Sequence, residues 1–250
     1  MVGQSRPGPL PTRRRASAGA QFPPRQQPPP LTRRKGADRL WTVTEIQIVS
    51  VDAPLTRQTL LAKAFGLVLR ASAVGLLTGR ERIDRLDLQL LRDIARSAAA
   101  AGIGRDAALA MLDEDLTPTQ LASLIDRLDE ALIGSPLPDR ELRQLRLTFE
   151  IDQLAKLPGT SEVSLRRYLA GSRDVPDTVA ARAHWLALVS ADLGGAYNQI
   201  GVRRWFERPR AQLAGRSPRE ALGTSWTPDT DAATAIQGLA AALVGPAAAT

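Results

Sequence analysis

Few side chains in this sequence can do covalent or metal chemistry. Across 250 residues there is no Cys and a single His, His184, which excludes a thiol nucleophile, a disulfide scaffold and a zinc site built from thiolates or several imidazoles. A Ser-His-Asp arrangement would have to use His184, in a stretch where Val179, Leu186, Val189 and Leu193 mark an apolar helical face. No GxSxG elbow accompanies it, so His184 is expected to be a structural residue on a helix flank. Gly102-Ile103-Gly104-Arg105-Asp106-Ala107 fits GxGxxA, but it follows an Ala-rich helical stretch and not a strand. The dinucleotide-binding context is therefore missing, and a helix stop followed by an Asp106 N-cap is expected instead. Asp113-Glu114-Asp115 is a weak candidate for acid/base or divalent-ion work, because adjacent carboxylates diverge on a helix or lie on a solvated loop. No catalytic residue, metal or cofactor is expected, and the chain does not read as an enzyme.

Charge points elsewhere. The net charge is +7, with 33 Lys+Arg against 26 Asp+Glu. Residues 1–39 hold nine of those cations (Arg6, Arg13, Arg14, Arg15, Arg25, Arg33, Arg34, Lys35, Arg39) and one acid, Asp38, a net of +8; the other 211 residues carry −1. With eight of the 18 prolines and little to bury, this tail is expected to be disordered. It is either a salt-sensitive, sequence-blind arm for phosphates or a solvated extension from an upstream start codon. The basic amino end lacks the apolar segment of a signal peptide, so a cytoplasmic location is expected.

The positioning elements read as helices. Trp41 to Val51 supports at most one short strand, ended by Asp52, Ala53 and Pro54. Leu60 to Leu77 is the most apolar stretch, but Lys63 and Arg70 would each cost roughly 2.5–3.5 kcal/mol near a bilayer centre. A core helix is expected there, and no membrane span. Ile83, Leu86, Leu90 and Ile94 step at helical spacing, as do Leu121, Leu124, Ile125, Leu128 and Leu132. Thr117-Pro118-Thr119-Gln120 opens the second of these helices as a capping box with Pro at the first helical position. Gly134, Pro136 and Pro138 break the chain, a domain boundary is placed near Ser135, and a new period opens at Leu142, Leu145 and Phe149.

The segment Leu154 to Gly171 has a specific geometry. A helix-turn-helix needs a small residue where its helices touch, a glycine four residues later, and apolar anchors that fix the second helix. Ala155, Gly159, Leu165 and Tyr168 supply these, with Ser161 as N-cap and Gly171 as stop. Turning Leu165 and Tyr168 inward leaves Ser161, Glu162, Val163, Arg166 and Arg167 outward, where a recognition helix meets a major groove. The alternative is an ordinary helical hairpin with two solvated arginines.

After Pro176, Asp177 is expected to cap a long helix that runs to Gly194-Gly195. Then come Trp205, Phe206, Pro209, Leu213, Gly215, and Ser217-Pro218-Arg219-Glu220, a complete capping box, with Leu222 closing the short helix it opens. In order and spacing these residues resemble the toxin-binding domain of the Xre/MbcA/ParS antitoxin family, over roughly residues 136–245. The resemblance implies an all-α antitoxin that covers the active-site cleft of a RES-type, NAD-consuming toxin. It also implies dimers or larger assemblies that repress their own operon through the helix-turn-helix. The match departs from the family where Thr224 is followed by Ser225-Trp226-Thr227-Pro228-Asp229 in place of a Thr and a Gly, and residues 40–134 have no counterpart in its short members.

Trp205 and Phe206, flanked by Arg203, Arg204, Arg208 and Arg210, have the composition of a binding hot spot with a cationic rim, or else they are core. A split is favoured, with Trp205 mostly buried and Arg208, Arg210 and Arg216 outward. The partner-binding set is Trp205, Phe206, Arg208, Pro209, Arg210 and Arg216; the DNA-binding set is Ser161, Glu162, Val163, Arg166 and Arg167. The expected organisation is a tail (1–39), a helical region of unassigned role (40–135), a helix-turn-helix (136–176) and a toxin-binding domain (177–250). Expected partners are a cognate toxin, operator DNA and further copies of the chain. The rival readings are a stand-alone regulator whose carboxy-terminal domain only dimerises, and a scaffold that does not touch DNA.

Overall fold

The β-branched run forms a strand, β1 (Glu45–Val51), which ends before Asp52 as its sequence requires. The computed structural model describes residues 45–77 and 82–243, all within the unit Leu40–Thr250. The basic tail, the start of the β-branched run and most of the Ala-rich carboxy-terminal end lie outside the described residues.

Ile83 and Leu86 do not belong to the helix expected of them. They sit in a second strand, β2 (Arg82–Leu86), paired parallel to β1 with an irregularity between Ile46 and Ser50. Only Leu90 and Ile94 lie on α2 (Leu88–Ala100). Asp87 divides the two elements: its backbone is extended and its carboxylate accepts the Leu90 amide at 2.7 Å, so the helix cannot extend back through it.

Among the described residues the rest is helical: α1 (Gln58–Ala73), which joins the two strands, α3 (Arg105–Ala110), α4 (Pro118–Ile133), α5 (Pro138–Thr148), α6 (Ile151–Lys156), α7 (Glu162–Leu169), α8 (Asp177–Gly194), α9 (Gln199–Glu207), α10 (Pro218–Leu222) and α11 (Asp231–Ala241), with a 3-10 turn at Ala211–Leu213. The fold is mostly helical, in keeping with the all-α expectation, and the small parallel sheet holds the two strands among the described residues. No described helix is long and apolar enough to cross a membrane. The two cations of α1 are paired: Lys63 with Asp126, and Arg70 Nη1 with both Asp129 oxygens at 2.8 and 2.7 Å, all on or against α4.

Two N-caps differ from expectation. Asp106 is the second residue of α3, whose N-cap is Gly104 at φ 50°, a left-handed backbone that disfavours Asp's side chain less than most but suits Gly best. Asp177 is the first residue of α8, with Pro176 at the cap, so its carboxylate sits in the first turn, where it favours the helix N-terminus through charge. The Thr117 capping box is present.

Apolar side chains gather into two cores. One runs from Leu55 to Leu132 and is built from α1 to α4 with the sheet; the other runs from Leu142 to Ala240 and is shared by α5 to α11. Helix α8 closes the gap between them. His184 on α8 is only 7 % exposed, so it is not on a flank. Its Nδ1 lies 2.7 Å from Glu141 Oε1 on α5 and its Nε2 2.7 Å from the Ile133 carbonyl at the end of α4.

Candidate functional site

Helix α6 ends in a closure that only glycine accommodates well. Gly159 has φ 74°, its amide donates to the Lys156 carbonyl at 3.2 Å, and the Thr160 amide donates to the Ala155 carbonyl at 2.9 Å. This is the paired bonding of a helix stopped by a left-handed residue. Pro158 fits because it lies past the C-cap Leu157 and just before that glycine, where a missing N–H breaks no interior helical bond. The chain then turns into α7, whose N-cap Ser161 accepts the Ser164 amide at 3.1 Å. Replacing Ser161 by Ala is expected to destabilise the protein by about 1 kcal/mol, read from urea unfolding; an unchanged midpoint would mean that this cap contributes nothing.

Helix α7 buries one side and exposes the other. Leu165 and Tyr168 are 0 % and 3 % exposed and join the second core with Ala155. Ser161, Val163, Arg166 and Arg167 are exposed, Val163 at 57 %, and Glu162 is half-buried. Of the five residues assigned to DNA by sequence, Glu162, Val163, Arg166 and Arg167 lie on α7 and Ser161 is its N-cap, and none of them is buried. Glu162 and Arg166 are ion-paired at 2.8 Å across one turn. Arg173, which the sequence reading missed, stacks on the Tyr168 ring at 5.7 Å and brings a third exposed cation to this end. Its only sequence signal is its position just past the Gly171 stop.

The carboxy-terminal module is built differently from the partner-binding set expected of it. Trp205 and Phe206 on α9 are 2 % and 1 % exposed, so neither offers contact surface. Phe206 packs edge-on between Phe149 and Trp205, with ring centroids 5.4 and 5.3 Å away. The same core also holds Trp185, Trp226 and Tyr168. Arg208, Pro209 and Arg216 are exposed, whereas Arg210 is half-buried and lies over the Trp205 ring at 4.2 Å. Burial lowers the pKa of its guanidinium, Tyr197 opposes that and Arg208 adds to it. The loop between α9 and α10 is closed by two backbone bonds, Arg210 N–H to the Arg216 carbonyl and Gly215 N–H to the Arg210 carbonyl, both 3.0 Å.

Acids near this loop are already engaged. Glu207 pairs with Arg219 at 2.9 Å. Glu220 accepts the Ser217 amide and hydroxyl, each at 2.8 Å, completing the capping box of α10; those bonds hold its pKa below the ordinary value. The loop between α9 and α10 thus exposes Arg208 and Arg216, while Trp205 and Phe206 are internal.

No group of three or more His, Cys, Asp or Glu residues among the described residues could hold a metal ion. A cavity of about 700 Å³ lies between β1, α1, α5, α8 and the start of α9, and its walls include none of the site residues named from sequence. Comparison with family models, with curated proteins and with solved structures returned no match.

Proposed function

We propose that this chain is an antitoxin-like regulator: α7 docks in a DNA major groove to repress its own operon, and the carboxy-terminal module occludes a RES-type, NAD-consuming toxin. The action is stoichiometric binding, without turnover. The observation that supports it most is the sidedness of α7, whose anchors Leu165 and Tyr168 are buried while Ser161, Val163, Arg166 and Arg167 face outward. An arginine there can bond guanine O6 and N7 or a phosphate, and Val163 can meet a thymine methyl. Freeing Arg166 from Glu162 costs little, since an exposed pair of this kind is worth roughly 0.2–1 kcal/mol. Further copies of the chain would place two such helices on successive half-sites.

Burial of Trp205 and Phe206 favours a second reading, a stand-alone regulator whose carboxy-terminal module completes the core behind the helix-turn-helix. In the antitoxin reading the contacts fall instead to Arg208, Pro209, Arg210 and Arg216. The two are separated by co-expression with the neighbouring reading frame. A complex that rescues growth supports the antitoxin, and no complex leaves the regulator.

DNA binding is common to both readings and is tested by gel-shift titration on the duplex upstream of the chain's own reading frame. Replacing Arg166 and Arg167 together by Ala should weaken binding by about 1–3 kcal/mol if one of them reads a base, and flatten the salt dependence by about one charge for each phosphate that is no longer neutralised. Unchanged affinity and unchanged salt slope would remove α7 from the interface.

A further inference from the structure

The bend of the helix-turn-helix is held from outside. The Ala155 and Lys156 carbonyls are satisfied by Thr160 and Gly159, but the next two carbonyls take their donors from far along the chain. The indole N–H of Trp226 donates to the Leu157 carbonyl at 2.9 Å. Arg182 on α8 donates from Nη1 to the Pro158 carbonyl at 3.1 Å and from Nε to the Trp226 carbonyl at 2.7 Å. Its guanidinium also lies 5.5 Å from the centre of the Trp226 ring, which in turn packs edge-on against Trp185 at 4.9 Å.

Gly159 makes this possible. A Cβ on it would run into the Arg182 guanidinium and would also approach the Thr224 carbonyl at 3.6 Å, so the absence of a side chain leaves the space the arginine uses. The turn between α6 and α7, the first third of α8 and the connector 224–226 between α10 and α11 thus form one hydrogen-bonded clasp. A planar guanidinium can span the Pro158 and Trp226 carbonyls together, and a single ammonium is not shaped to.

We infer that Arg182 and Trp226 are positioning residues for DNA binding: the clasp sets the direction in which α7 leaves the turn, so the connector 224–226 governs the affinity of a surface it does not belong to. This rests on the reading of α7 as a recognition helix. The connector is also the segment where the chain departs from the antitoxin pattern, and the clasp gives that departure a physical role.

The test uses the full chain with Arg182→Lys, Arg182→Gln and Trp226→Phe, beside the Arg166/Arg167 double variant. Duplex affinity and backbone amide exchange are both measured, and far-UV circular dichroism checks the helix content. Arg182→Gln is expected to weaken duplex binding by about tenfold, with faster exchange at residues 159–164 and unchanged exchange in α2 and α4. Arg182→Lys, which keeps the charge, should lose most of that affinity too, which a purely electrostatic role would not predict. Trp226→Phe should speed exchange at the same turn.

Binding by wild type that is lost in the Arg166/Arg167 variant but kept in both Arg182 variants overturns the clasp and leaves the recognition helix standing. The clasp also fails if Arg182→Lys binds like wild type or if the turn's exchange does not change. If wild type does not bind the duplex at all, the recognition-helix reading fails and this inference falls with it.

Discussion

Replacing Phe206 by Ala is expected to cost about 3–5 kcal/mol of stability, the range for emptying a large aromatic site in a packed core. The side chain is 1 % exposed and meets Phe149 and Trp205 in edge-to-face geometry. Those ring pairs add roughly 0.5–1.5 kcal/mol each beyond burial. Phe149 caps α5 and Phe206 lies on α9, so the cavity would open where the helix-turn-helix and the carboxy-terminal module share their core. Urea unfolding measures the loss, and Phe206→Leu, which keeps most of the volume, should lose much less. A surface hot spot behaves in the opposite way. If Phe206→Ala left the unfolding midpoint within about 0.5 kcal/mol of wild type, the ring would have to be solvent-facing and its packing against Phe149 and Trp205 would be wrong.

The second large effect is expected at His184. Replacing it by Leu strands Glu141, which is 0 % exposed and whose other hydrogen bond is from the Leu137 amide at 3.0 Å. Breaking a buried pair from one side costs about 3–5 kcal/mol, whereas replacing both members by apolar residues is often close to neutral. Glu141→Leu combined with His184→Leu should therefore recover most of the loss. Equal instability of the single and double variants would show that the cost comes from packing and not from the stranded carboxylate.

The same pair gives stability a pH dependence. Burial pulls the His184 pKa down, but the hydrogen bond and charge of Glu141 and the Ile133 carbonyl outweigh it, and the net shift is upward from 6.5. A pKa raised on folding means that the folded state holds the proton more tightly than the unfolded one. The stabilisation is complete below the unfolded value near 6.5 and fades as pH rises through the folded value. Wild type should lose stability across that window in urea titrations at successive pH values, and the double Leu variant should not. Asp129 and Asp192 are also raised, by burial opposed by Arg70, and their window opens near the lower value of 3.8.

Much of the local structure was legible in the sequence. Thr117, Ser161 and Ser217 each begin a helix with the side-chain bond their type and spacing suggest. Leu165 and Tyr168 point inward because their spacing of three places them on one side of a helix. The same spacing misled at Ile83 and Leu86, which are buried on β2 and not on a helix. Only the N-cap at Asp87 and the pairing with β1 distinguish the cases. The composition around Trp205 and Phe206 was ambiguous for a different reason: a hot spot and a small core use the same residues.

What the sequence by itself determined is the helix starts at Thr117, Ser161 and Ser217 and the inward turn of Leu165 and Tyr168 on α7. Each of these depends on groups within about four residues of one another, through backbone bonds and side-chain periodicity. The tertiary structure alone decided that Trp205 and Phe206 are internal, that His184 meets Glu141 43 residues away, and that Trp226 reaches back 69 residues to the turn before α7. Such pairings depend on how helices pack, and no local pattern of residue types encodes which distant donor will reach a given carbonyl.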